Sequence, residues 1–312
     1  MNKIWNLATW ISGLVCMVVL MMLPAGCNDD KDTDWPVVLD MSLPEERDPL
    51  FDTIPAGNPH KDKSLKILAI GNSFTVNATT FLPWLVAVNN SDSVCVARMY
   101  HSGCSLKMHW DYHCSREAEY YFQYSSGGKW DIIGEMVSFD RGLTMLDWDV
   151  IVIQQVSGDS GRYSTYEPYL NCLLRLFRIA HPNVKIAWHY TWAYREGADH
   201  PSFKHYGQDS QKMYEDIMKA GDRASQHVDY RILSATLLQK MRKVYPEVED
   251  GFAEDGYHIS DSRAKFALGL LWYECLIAPV TLHSSLEDPA VPGGINPDEM
   301  TRAYQVLHEM GY

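Results

Sequence analysis

Five apolar runs alternate with helical stretches along this chain, and that alternation constrains the fold more than any other feature. LKILAIG (65–71) is almost continuously apolar, the pattern of a strand buried on both faces. SVCVARM (93–99), DVIVIQQ (149–155), NVKIAWHY (183–190) and VDYRILSA (228–235) read as four more strands. Between them, TTFLPWLVAVNN puts Phe81, Leu82 and Leu85 on one helical face. YLNCLLRLFRIA (169–180) is an apolar helix that Pro182 helps to end, and DSQKMYEDIMKAGDRAS (209–225) is another helix. SRAKFALGLLWYECLIA (262–278) repeats apolar residues at spacings of three and four. Strands alternating with helices require a parallel sheet covered on both faces. The expected fold is a three-layer α/β/α sandwich around a mostly parallel five-stranded sheet. Trp130–Trp148 fits no element and is expected to be an irregular excursion. The tail is expected to hold a loop and one more helix, with Pro297 in its first turn. At 312 residues and 46% apolar content, residues 64–312 suffice for one large domain.

The N-terminus is expected to lie outside that domain. MNKIWNLATWISGLVCMVVLMMLPAGC carries one Lys, an apolar stretch and small residues ending at Cys27. The run from Ile11 to Leu23 is short for an uncleaved span of roughly 20 residues. The segment resembles a bacterial lipoprotein signal, with 1–26 removed and a lipid on Cys27. Residues 27–63, rich in Asp, Pro and Asn, read as a tether. The implied location is the outer membrane or cell surface, otherwise the periplasm. The formal charge of −13, with no basic run, argues against a nucleic-acid partner. The expected partners are therefore a small-molecule or glycan substrate and, through Cys27, a membrane.

Beyond Cys16 and Cys27, five cysteines remain: Cys95, Cys104, Cys114, Cys172 and Cys275. Export permits disulfides, with Cys104–Cys114 a possible pair, and free buried thiols are an equal alternative. There is no Cys-x-x-Cys. His101, His109 and His189 have no carboxylate cluster beside them, so no metal and no cofactor is expected.

In an open parallel sheet, ligands bind outside the carboxyl ends of the strands. Asn72 and Ser73 follow the first apolar run, and His101, Ser102, Gly103 and Cys104 the second. The third ends on Gln154, Gln155 and Ser157; the fourth on His189, Trp192 and Tyr194. Asp255 and His258 stand three apart in EDGYHIS, before the last long helix. Read alone, Ser73 is a helix N-cap and Asp255-Gly256 a turn. Gly71 is expected to let the backbone turn sharply and present Ser73.

Taken together, these residues resemble the SGNH (GDSL-like) hydrolases. GNSF looks like the first block of that superfamily, with Asn72 in place of the more usual Asp. HSGCSL resembles the second block through Gly103, and DGYH the last through Asp255 and His258. The set is also similar to an SGNH-like family of bacterial proteins without assigned substrate. The third block departs: QQVSGDS stands where many members have Gly-x-Asn-Asp. The resemblance implies the flavodoxin-like layout of the SGNH fold and a serine esterase that removes an acyl group, expected to be acetyl, from a carbohydrate. It implies Ser73 as nucleophile, His258 as base and Asp255 as its orienting carboxylate. The Ser73 and Gly103 amides and the Gln155 side chain, with Gln154 as the alternative, are the implied oxyanion donors. Asn72, Trp192 and Tyr194 are the expected substrate-binding residues, Trp192 as a sugar platform. The alternatives are a non-catalytic glycan-binding lipoprotein and an acyltransferase on the same scaffold.

Overall fold

The computed structural model describes residues 65–89, 94–126, 128–278 and 292–312. The expected signal (1–26), Cys27 and the tether (27–63) lie outside the described residues. Seven strands form one sheet: β1 (Leu65–Gly71), β2 (Val94–Tyr100), β3 (Ala118–Ser126), β4 (Lys129–Ser138), β5 (Val150–Ile153), β6 (Lys185–His189) and β7 (Tyr230–Ile232). Their order is β4-β3-β2-β1-β5-β6-β7. β2, β1, β5, β6 and β7 run parallel and coincide with the five expected apolar runs. The nine helices among the described residues are α1 (Ser73–Ala78), α2 (Leu82–Val88), α3 (Leu106–Ser115), α4 (Phe139–Leu143), α5 (Tyr169–Ala180), α6 (Ser210–Ala224), α7 (Ser234–Val244), α8 (Ser262–Leu276) and α9 (Pro297–His308). α8 packs with α1, α2, α7 and α9, whereas α3 packs with α4 and α5. α8 is buried at every position from Phe266 to Tyr273, which explains why that stretch is apolar on every face. None of the helices among the described residues is long and apolar enough to cross a membrane.

The sheet carries two more strands than expected. The excursion at Trp130–Trp148 is corrected: Lys129–Ser138 is a strand, paired antiparallel with Ala118–Ser126, which pairs antiparallel with β2. Inward Tyr120, Phe122 and Tyr124 alternate with Tyr121 and Gln123, the period-two signature of a strand. Register shifts along the β3–β4 ladder break the pattern. The hairpin is fastened to the core through Arg98 on β2. Its guanidinium donates to Thr79 Oγ1 (2.9 Å) and Gln123 Oε1 (2.5 Å) and lies 4.2 Å over the Trp130 ring.

The chain leaves β1 for β2 on one side and reaches β5 on the other. β1 is therefore the place where the winding reverses, and in open α/β sheets ligands bind outside the carboxyl end of the strand at such a point. Ser73 follows β1, Gly103 follows β2 and the two glutamines follow β5.

Candidate active site

Side chains from two distant stretches of the sequence meet at the end of β1. Ser73 Oγ lies 2.8 Å from His258 Nε2, across 185 positions of chain. His258 Nδ1 lies 2.7 Å from Asp255 Oδ2. A carboxylate only accepts, so Nδ1 carries the hydrogen and Nε2 is left to accept from the serine hydroxyl. The other Asp255 oxygen accepts the backbone N–H groups of Tyr257 (3.0 Å) and His258 (2.8 Å). Partial burial opposes the Asp255 charge, yet these two amides and the imidazole outweigh it and hold its pKa below the ordinary carboxylate value. The tight loop depends on Gly256, at φ +90°, where a Cβ would come within 2.6 Å of Ala198 Cβ.

Residues 66–300 match the model of a family described as a domain of unknown function, DUF4886. The chain belongs to the DUF4886 family. A crystal structure of a DUF4886 family protein from Bacteroides uniformis is similar to it, with a TM-score of 0.69 and 28% identity over 79% of this chain and 94% of that one. A candidate SGNH hydrolase from Slackia heliotrinireducens has a TM-score of 0.48 at 17% identity, covering 68% of this chain and 99% of that one. A variant of an acetyl xylan esterase from Geobacillus stearothermophilus has a TM-score of 0.46 at 12% identity, covering 71% and 98%. Likenesses this distant speak to neither activity nor substrate. No curated protein matches.

The neighbours of Ser73 in this DUF4886 protein depart from expectation in several ways. Gly71 keeps ordinary strand geometry. A Cβ there would collide with the Thr75 hydroxyl and come 3.3 Å from Gln154, so glycine is required by close approach and not by a turn. Ser73 is the first residue of α1; the N-cap is Asn72, whose Oδ1 accepts from Phe74 N–H at 3.0 Å. Asn72 is buried and so is not a substrate contact. Its Oδ1 also accepts from Gln154 Nε2 (2.8 Å), and its Nδ2 donates to Cys104 C=O (3.0 Å). One amide thus joins the ends of β1, β2 and β5. An aspartate at 72 would have no hydrogen for Cys104, which gives a physical reason for the departure from Asp.

The two glutamines are equally committed. Gln154 Oε1 accepts from Thr75 Oγ1 (2.9 Å) and His189 Nδ1 (2.7 Å), and His189 Nε2 meets Ser234 Oγ at 2.9 Å. Gln155 Oε1 accepts from Leu106 N (3.0 Å) and Val156 N (2.9 Å), while its Nε2 donates to Thr165 O (3.2 Å) and Oγ1 (3.1 Å). Both side chains are buried. The expected oxyanion roles of Gln155 and Gln154 are therefore corrected: their amides tie the loops together. Two backbone donors remain. None of the described hydrogen bonds uses the N–H of Ser73 or Gly103. Gly103 is exposed, with φ +62° and open space where a Cβ would stand.

Trp192 and Tyr194 are fully buried and cannot stack on a sugar. Trp192 packs on Phe74 with ring centroids 4.3 Å apart, and Tyr194 hydroxyl meets Ser157 Oγ at 2.9 Å. None of the five cysteines among the described residues forms a disulfide, so the Cys104–Cys114 pair is not made. α3 does carry a His-x-x-x-His spacing, at His109 and His113, but the rings are turned to other work. His109 Nδ1 lies 2.7 Å from Tyr120 hydroxyl and His113 Nδ1 2.5 Å from Asp140 Oδ1. Among the described residues no cluster of three metal-ligating side chains is present. Asn77 was not foreseen as a site residue: its Oδ1 accepts from Ile259 N–H at 3.1 Å. Its position four after Ser73, on the same helical face, was the available signal.

Proposed function

We propose that this protein is a serine hydrolase of the SGNH type, an esterase that works through an acyl-enzyme on Ser73. The observation that carries the reading is the continuous chain Ser73–His258–Asp255, at 2.8 and 2.7 Å. Ser73 Oγ attacks the ester carbonyl carbon as its proton passes to His258 Nε2. Asp255 holds the ring in the required tautomer and stabilises the imidazolium. The tetrahedral oxyanion faces the free N–H groups of Ser73 and Gly103. Collapse breaks the bond to the alcohol, which leaves with the proton from His258. Water then attacks the acyl-enzyme, its proton passing to His258, and releases the acid and Ser73.

The finer reading is an acetyl ester on a carbohydrate, hydrolysed by an exported lipoprotein anchored through Cys27. It draws on the motif resemblance and the N-terminal signal, not on Trp192 or Tyr194. Palmitate labelling that disappears in Cys27→Ala tests the anchor. For the chemistry, a fluorophosphonate probe is expected to add once, on Ser73, with release of acetate from acetylated xylan or pectin. The shortage of side-chain oxyanion donors favours one rival, a glycan-binding protein without turnover. Tight binding of these glycans with no probe adduct would establish that rival.

A further inference from the structure

The base of the proposed mechanism sits on a loop, so its position must be set by something other than regular structure. Phe252–Asp261 is bound largely to itself: Ser260 N–H and Asp261 N–H reach back to Phe252 C=O, and Asp255 accepts from residues 257 and 258. Arg195 N–H donates to Gly256 C=O at 2.9 Å, which fixes the turn to the segment after β6. Apart from the Ser73–His258 contact itself, none of these bonds reaches the helix that carries the nucleophile.

Two side chains make that link, one on each side of His258. Trp192 Nε1 donates to the carbonyl of Tyr257 at 2.8 Å. Asn77 Oδ1 accepts from the N–H of Ile259 at 3.1 Å. Asn77 stands on α1 one turn beyond Ser73. The Trp192 indole is 0% exposed and stacks on Phe74, the residue after Ser73, at 4.3 Å and 22°. The peptide units before and after the base are thus each referred to the nucleophile's own helix, directly through Asn77 and through Phe74 for Trp192. An imidazole reaches a serine in hydrogen-bonding geometry from a narrow range of Cα positions, and displacement by about 1 Å can cost ~100-fold in rate.

We infer that Trp192 and Asn77 are positioning residues that clamp His258 against Ser73. The inference rests on the serine-hydrolase reading for its kinetic consequence, but not for its structural one. Trp192→Phe keeps the stacked ring and loses the donor; Asn77→Ala loses the acceptor and Asn77→Asp keeps it. With p-nitrophenyl acetate and full-length protein, W192F and N77A are each expected to lower kcat by ~10–100-fold, with KM within about twofold. N77D is expected to recover most of the loss. In a His258→Ala background both substitutions are expected to leave the residual rate unchanged, because their effect passes through that ring. Wild-type kcat in the W192F/N77A double variant would overturn the inference, as would equal losses in the His258→Ala background. If Ser73 reacts with neither probe nor ester, the function proposed above fails and the clamp is decided by NMR. Altered 15N and 1H shifts of the His258 ring in W192F and N77A support it, and unchanged shifts refute it.

Discussion

Two Ser–His side-chain chains stand among the described residues, and the contrast between them shows what makes one of them chemical. At the end of β1, Ser73, His258 and Asp255 line up at 2.8 and 2.7 Å. Inside, Ser234, His189 and Gln154 line up at 2.9 and 2.7 Å. The distances barely differ. The inner chain ends on a neutral carboxamide, which cannot stabilise an imidazolium, and burial pushes the His189 pKa down to about 3. Ser234 is itself fully buried, so no ester can reach it. The outer His258 and Asp255 side chains are 40% and 43% exposed, and Asp255 keeps its charge. Distance makes a hydrogen bond; access and a retained negative charge make a base. The inner chain has a structural task, because Gln154 also holds the Asn72 cap and Thr75.

Four measurements sharpen or break this contrast. The largest effect is expected from the two serines. Ser73→Ala should lower turnover of p-nitrophenyl acetate by at least ~10³-fold, while Ser234→Ala should keep kcat within a few-fold. In urea unfolding, Ser234→Ala should lose ~1–3 kcal/mol, because His189 Nε2 is left buried without its donor. Equal catalytic losses in the two variants would erase the distinction.

Asp255→Asn is expected next, at ~10²–10⁴-fold in kcat with little change in KM. The amide can no longer balance the imidazolium and favours the wrong tautomer. Loss below about tenfold would show that the carboxylate is not the third member.

The inner network is tested by Asn72→Asp. It removes the donor to Cys104 and places a carboxylate in a buried site, with an expected loss of ~1–3 kcal/mol in urea unfolding. A variant as stable as the parent would contradict the explanation given for asparagine at this position.

The smallest effect concerns pH. Burial lowers the pKa of both His189 and His109 to about 3, against ~6.5 for an exposed histidine. As pH falls below ~6.5 the unfolded chain binds protons that the folded one refuses, so stability is fully present above that value and is lost on acidification toward pH 3. Each ring contributes at most ~1.4 kcal/mol per pH unit. His189→Gln should flatten the fall in unfolding free energy between pH 6.5 and 4.5; an unchanged slope would mean that His189 titrates normally. Asp255 has the same sign at lower pH: its pKa is held below the ordinary ~3.9, so its contribution persists until pH drops through that depressed value.

The sequence by itself determined the five parallel strands, because a strand buried on both faces must be apolar at nearly every position. Leu65–Gly71 and Val150–Ile153 leave no other reading. The β3–β4 hairpin was harder to see: as an outer antiparallel pair it needs apolar residues on one face only, and its irregular register spoils the alternation. Asp255 and His258 were legible because a three-residue loop brings them together locally. Their meeting with Ser73, across 185 positions, was legible only through the motif resemblance, since the contact itself depends on where the winding of the sheet reverses. Only the tertiary structure decided that Asn72, Gln154, Gln155, Trp192 and Tyr194 serve the frame and not the substrate. A residue's type shows what bonds it can make, but which neighbours consume them depends on side-chain direction and burial, and these are settled only when the layers pack.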